Sequence, residues 1–173
     1  MSDFTHMLLG RDLRSIARSN EVAESIRSQK DFDRLFELML HHERLLVMRA
    51  ADAVEKVTRE YKEYLQPHKR QLLSIASNAS NKELKWHIAQ LLPRLELTAE
   101  ERQQVWHFLS YWAKNPNESK IARVNALQGL FELAQAEPIF KDAFLKLTQE
   151  LSKESVPSIQ ARIRKLTKAF SKD

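Results

Sequence analysis

The chain has 173 residues, with 28 Lys or Arg against 23 Asp or Glu and a net charge of +5 at pH 7, a length that suits one domain with a sizeable core. It contains two Gly, five Pro and no Cys, where average usage would give roughly 12 Gly. The turn residues an antiparallel β fold or a phosphate-cradling loop needs are missing, and disulfides, Cys-bound zinc and a cysteine nucleophile are excluded. Leu, Ala, Glu, Lys, Arg and Gln dominate, and these are good helix formers, so the expectation is an all-α protein.

The first 15 residues show no basic region followed by an apolar run. Uninterrupted apolar stretches are only a few residues long, far short of the ~20 that span a bilayer. The expectation is a cytoplasmic chain without membrane contact. Its charges are mixed in sign and read as solvated surface. The last stretch is less balanced: 158–173 holds Arg162, Arg164, Lys165, Lys168 and Lys172 against one acid, a distribution that suits the C-terminal end of a helix dipole.

In chain order, residues 1–30 read as one or two short capping helices, at about 10–17 and 21–28. Four amphipathic segments then alternate with four segments that align with one another. The first kind is 31–40 (Phe32, Leu35, Phe36, Met39), 68–77 (Leu72, Leu73, Ile75, Ala76), 100–113 (Val105, Phe108, Leu109, Trp112) and 139–151 (Phe140, Phe144, Leu147, Leu151). The second kind is 46–57, 84–95, 122–133 and 159–170, with offsets of 38, 38 and 37 residues. Its first aligned position is Leu46, Leu84, Ala122 and Ile159, its fifth Ala50, Ile88, Ala126 and Ile163, and its last Val57, Leu95, Leu133 and Phe170. The full spacing of i, i+4, i+7, i+8, i+11 is one face of a helix. Only Gly129 and Thr167 fall outside the plainly apolar set. Gly129 in a helix interior costs about 1 kcal/mol against Ala, and close helix packing is its expected reason.

The punctuation agrees. Pro67 is expected to open a helix, as is Pro157. Ser80 with Glu83 and Thr98 with Glu101 read as capping boxes. Asn115, Pro116 and Asn117, and then Glu137 with Pro138, mark turns. Pro93 should kink or shorten the helix it ends. The unit is a helical hairpin, expected at about 31–62, 65–95, 99–136 and 139–170, within a single domain spanning 1–173. A hairpin of this size cannot bury its apolar face alone, and four in register bury a continuous core. The fold class expected is an α-solenoid with a short N-terminal helical cap.

The 38-residue helix pairs, with Arg123-Val124-Asn125-Ala126 and Gly129-Leu130 in a second helix, resemble HEAT repeats, within the ARM-like group. The basic residue usual near the start of that helix is present as Lys85 and Arg123; Val47 and Gln160 stand there in the other two units. More loosely, 15–22, 48–58, 85–95 and 159–166 resemble a set of small bacterial HEAT-repeat proteins. The resemblance implies a non-catalytic scaffold that binds a protein along its inner, second-helix face. It implies no cofactor and no particular functional residues.

Beside the core face the aligned helices share a polar stripe. It runs Arg49, His87, Asn125, Arg162, then Asp52, Gln90, Gln128, Lys165, then Lys56, Arg94 and Glu132. Two readings stay open: a recognition groove for a protein partner, or ordinary bonding between repeats such as Arg49 with Asp52. Nucleic-acid binding through groove arginines and the basic C-terminal helix is the alternative, although Asp52 and Glu132 dilute the positive character a phosphate-tracking surface needs. A remoter variant is an alkylpurine DNA glycosylase using Asp52 beside Trp86. His41, His42, His68, His87 and His107 show no metal-ligand spacing, and adjacent His41 and His42 would point about 100° apart on a helix. Trp112 lies on an apolar stripe and reads as core. Trp86 lies off the core register, as an interface anchor or as a lid over a neighbouring loop. No catalytic constellation, cofactor site or small-molecule substrate is evident.

Overall fold

The computed structural model describes residues 4–9, 17–79 and 81–170. Among them there is no strand and no residue with positive φ. The chain divides into two compact units, residues 1–72 and 73–173.

In the first unit, α1 (Phe4–Leu9) and α2 (Ala17–Ser25) precede α3 (Gln29–Glu37) and α4 (Arg44–Glu60). The expected cap at 10–17 lies almost wholly outside the described residues, and α1 was not expected. The second cap ends at Ser25, not at 28, because Ser28 starts the next helix instead. Its hydroxyl accepts from the Asp31 N–H and also donates to the Asp31 carboxylate at 2.8 Å, while Asp31 sits in the first turn where the helix dipole favours it. The Ser28 hydrogen bond holds the Asp31 carboxyl below its usual range. The α3 core face (Phe32, Leu35, Phe36) packs with Met39 against Leu46, Ala50, Ala53, Val54 and Val57 of α4, all buried.

A tight 3-10 turn at Leu38–Leu40 ends α3, and His41 is extended. His41 and His42 therefore are not on a helix at all; their exposed rings stack with centroids 4.1 Å apart. A second 3-10 stretch, Lys62–His68, carries Pro67 inside it, so α5 (Lys69–Asn78) begins two residues after that proline. The boundary between the units falls within α5.

The second unit holds α6 (Lys82–Leu91), α7 (Ala99–Lys114), α8 (Lys120–Ala136), α9 (Lys141–Leu151) and α10 (Pro157–Phe170). The first expected capping box rests on Ser80 and the Glu83 side chain, which lie outside the described residues. The second is formed: Thr98 accepts from the Glu101 N–H, and Glu101 accepts from the Thr98 N–H at 2.8 Å. Pro157 is the first residue of α10. Pro93 shortens α6, which ends at Leu91 and gives way to a 3-10 turn over Leu92–Arg94.

α8 is the centre of this unit. It packs on α6 and α10 in its own layer and on α7 and α9 in the other. The aligned apolar positions are buried throughout the chain except Leu84, Thr167 and Phe170, which are half-buried. Gly129 lies where α8 meets α6. A Cβ there would stand 2.7 Å from the Ala89 carbonyl oxygen and 3.2 Å from Pro93 Cγ. The two irregular residues thus belong together, because Pro93 has no N–H to give to the carbonyl four residues back, that of Ala89, and this same carbonyl faces Gly129.

Candidate functional site

The polar stripe behaves differently in the two units. In the first, it is covered by the N-terminal helices. Arg49 is buried and donates to the Leu8 carbonyl. Asp52 accepts from the Ser19 hydroxyl and from Lys56 at 2.5 Å, and Lys56 also reaches Asn20. Ser19 is itself buried. These groups pin α1 and α2 onto α4 rather than line an open surface. Asp52, the acid a glycosylase reading requires, has its carboxylate engaged by Ser19 and Lys56. Beyond Lys56 a cleft of about 540 Å³ opens between the ends of α2 and α4, bordered by Glu24, Arg27, Arg59 and Tyr61. Arg59 is held by a fork of two bonds to the buried Glu55, at 3.0 and 2.7 Å, and this pairing raises the guanidinium above its ordinary value.

In the second unit the stripe lies on three helices of one layer, α6, α8 and α10. Arg162 donates to Gln128 Oε1 at 2.7 Å across the α10–α8 contact, and Gln128 donates to Glu132 at 2.9 Å along α8. Asn125, Gln128, Glu132 and Arg162 are half-buried and Lys165 is exposed. Among the described residues, Asn125 and Lys165 make no side-chain hydrogen bond or ion pair. On α6, Gln90 turns back to the Trp86 carbonyl at 3.2 Å. His87 is buried, and Arg94 is half-buried within the 3-10 turn. Trp86 is half-buried, its ring 4.9 Å from that of His87; Trp112 is buried in the core.

A second feature of this unit repeats in space. Lys85, near the start of α6, is buried and ion-paired with Glu118 in the turn before α8, and its ammonium lies 5.9 Å from the Trp112 ring centre. One repeat later, Arg123 near the start of α8 is buried, donates to the Ala113 carbonyl at 2.8 Å and forks onto both Glu154 oxygens at 2.8 Å in the turn before α10. Gln160, in the same position of α10, bonds the Glu154 carbonyl at 2.8 Å. Each buried cation thereby ties its hairpin to the turn of the next. The basic residues were visible in the sequence; their acids, 33 and 31 residues further on, were not, although both sit in the connecting turns.

A sequence profile describing a HEAT repeat domain matches residues 8–170. The chain belongs to the HEAT repeat family. No curated protein and no solved structure matches it. HEAT repeats generally mediate protein–protein interaction and are generally non-enzymatic scaffolds. Lys85 and Arg123 here are the repeat's basic positions turned into buried ties between hairpins.

One further polar cluster in the first unit escaped the sequence reading. His68 lies flat on Phe36, ring centres 4.1 Å apart, with Nε2 2.7 Å from Asp33 Oδ1 and Nδ1 3.0 Å from Gln71 Oε1. Gln29 donates to the same Asp33 oxygen at 2.7 Å and to the Tyr64 carbonyl at 2.9 Å. Burial works upward on the Asp33 carboxyl, but the hydrogen bonds from Gln29 and His68 and the His68 charge bring it below its usual range. Both ring nitrogens are occupied, so the pair fixes the 3-10 stretch against α3 and offers no free base. Among the described residues no group of three or more His, Asp or Glu is placed to hold a metal ion, and no helix is long and apolar enough to cross a membrane.

Proposed function

We propose that this protein is a non-catalytic interaction module and that it binds a protein partner along the second-helix layer of its second unit. The observation that carries this reading is the contrast between the two halves of one stripe. Arg49, Asp52 and Lys56 spend their hydrogen-bonding capacity on α1 and α2, whereas Asn125 and Lys165 keep theirs, beside the Arg162–Gln128–Glu132 chain. Half-buried amides and a guanidinium pre-set by neighbouring bonds lose little side-chain freedom on binding. Gln90 and Arg94 extend the surface on α6, with His87 beneath them.

The test is site-specific photocrosslinking in the native cell. A photoreactive residue at Asn125 or Lys165 should capture a discrete protein that the same residue at Gln103 or Gln104, exposed on α7, does not. Equal capture from both layers, or none from Asn125 and Lys165, sinks the assignment. Nucleic-acid binding is the second reading, favoured by α10, which carries four cations and no acid. It predicts complexes whose affinity falls steeply between about 50 and 200 mM salt, and their absence at the lower salt ends it.

A further inference from the structure

We propose that Arg162, on the second-helix face of α8 and α10, receives an Asp or Glu carboxylate from a partner segment that also carries apolar side chains. This rests on the reading above and names the chemistry of the partner. Two observations in the second unit carry it, one of charge and one of surface.

The first is a guanidinium without an acid. Elsewhere in the unit Lys85, Arg102 and Arg123, buried or half-buried, each hold a carboxylate. Arg162 is half-buried too, yet among the described residues its polar partner is the neutral Gln128, which accepts from Nη1 at 2.7 Å. The arrangement is preset from below: Gln128 gives its amide N–H to Glu132 at 2.9 Å, which turns Oε1 toward Arg162. An arginine restrained by one neutral bond keeps a fork of N–H donors for a planar anion, and it has less side-chain freedom to lose on binding. Lys165, one turn along α10, adds an exposed positive charge, and Asn125, one turn before Gln128 on α8, adds an uncommitted amide. Glu132 is the one acid of the stripe in this unit, and its carboxylate is the one that orients Gln128. Arg164 and Lys168 stand on the other side of α10 by register and take no part.

The second observation is apolar surface on the same face. Ile121 lies one turn before Asn125 on α8 and is 50% exposed. Trp86, Val124 and Ala161 hold one register position on α6, α8 and α10, 38 and 37 residues apart, each directly before a member of the His87, Asn125, Arg162 row. Trp86 and Val124 are half-buried and Ala161 is exposed. An apolar row therefore crosses the layer beside the polar one, and Trp86 takes the part of an interface anchor.

A partner segment laid across these helices would set apolar side chains on Ile121, Val124 and Trp86 and a carboxylate on Arg162. A nucleic-acid backbone calls for a run of cations and would meet Glu132 and the apolar row instead, which favours a peptide carboxylate over phosphate.

The experiment is selection of a random peptide library, displayed on phage, against the full chain. The expected winners combine Asp or Glu with large apolar residues. Their binding should fall about tenfold or more, a loss of ~1.4 kcal/mol, in Arg162→Met, which removes the fork, and in Gln128→Glu, which gives the guanidinium an acid of its own. Asn125→Trp, which blocks the face without changing its charge, should abolish it. Arg164→Met, which removes the same charge from the other side of α10, should leave it unchanged. Matching circular dichroism and melting curves establish that the variants fold, and Gln128→Glu stands as the test even where Arg162→Met is unstable. Winners without an acid that are lost in Asn125→Trp and indifferent to Arg162→Met overturn the carboxylate assignment while the face itself stands. Acidic winners indifferent to both Asn125→Trp and Arg162→Met overturn the face as well. No winners, or equal losses in Arg162→Met and Arg164→Met, also overturn the proposal. So does a DNA duplex of about 20 base pairs that binds at about 50 mM salt and is lost in Arg162→Met while no acidic peptide is selected.

Discussion

Replacing Gly129 with Ala exposes the seam between α6 and α8 most directly. By helix propensity alone the change should stabilise the chain by about 1 kcal/mol. The structure says the opposite. The new Cβ would lie 2.7 Å from the Ala89 carbonyl oxygen, 3.0 Å from Leu109 Cδ1 and 3.2 Å from Pro93 Cγ. Leu109 can turn aside, but the carbonyl is backbone and the proline ring is rigid. Restoring normal separation moves α6 and α8 apart by about 0.5 Å, and a gap of that size forfeits roughly a quarter of each dispersion contact along the seam. Overpacking costs about 1–3 kcal/mol; against a backbone carbonyl and a rigid ring the upper part of that range, about 2–3 kcal/mol, applies, and setting the propensity gain of about 1 kcal/mol against it leaves a net loss of about 1–2 kcal/mol. At this chain length that lowers Tm by about 2–8 °C. Urea and thermal denaturation of Gly129→Ala beside wild type measure it, and Gly129→Val, larger and β-branched, should be worse. If Gly129→Ala melts at or above wild type, the close approach of the two helices is not what holds a glycine there.

Two other predictions concern charge. Lys85→Met strands the Glu118 carboxylate, whose Oε2 is buried without a protein partner, and should cost about 3–5 kcal/mol; the double variant Lys85→Met/Glu118→Leu should recover most of it, whereas Lys114→Ala, which breaks the exposed pair with Glu150, should move stability by under ~1 kcal/mol. Equal small effects in urea denaturation at both pairs would contradict the burial argument. Asp33 has a lowered folded value, so its contribution is present above the ordinary carboxylate value of 3.8 and is lost as pH falls through the lower folded one. The Tm gap between wild type and Asp33→Asn should therefore be present at neutral pH and close as pH falls below 3.8; because the Asp33 side chain is 43% exposed, it should stay under ~1 kcal/mol, and a gap that does not change with pH would refute a contribution from the ionised carboxylate.

The aligned face was legible because burial of a helix stripe leaves a periodic mark, and Leu46, Ala50, Ile88, Ala126, Leu130 and Ile163 are buried where that mark puts them. Capping at Thr98 and the shortening at Pro93 were legible because they depend on residues within one turn of each other. The end of the second N-terminal cap was misplaced because Ser28 can close one helix or open the next, and only its contact with Asp31 decides. His41 and His42 were given helical geometry by a periodicity that the 3-10 turn interrupts.

For the candidate site the division runs along the same line. Residue type and spacing alone put Arg49, His87, Asn125 and Arg162 on equivalent positions of their helices, since register is a local property. Whether such a position is spent or available depends on which segment packs over it, and that is a long-range fact: Leu8, Ser19 and Asn20 occupy the stripe on α4, while Asn125 and Lys165 keep their bonding capacity. The acids that meet Lys85 and Arg123, and the carbonyl that forbids a side chain at Gly129, are likewise set by distant turns and by a neighbouring helix. The sequence by itself determined the repeat, its period and its buried face; only the tertiary structure decided which polar groups of the stripe are engaged by other segments, because that depends on pairings between residues more than thirty positions apart.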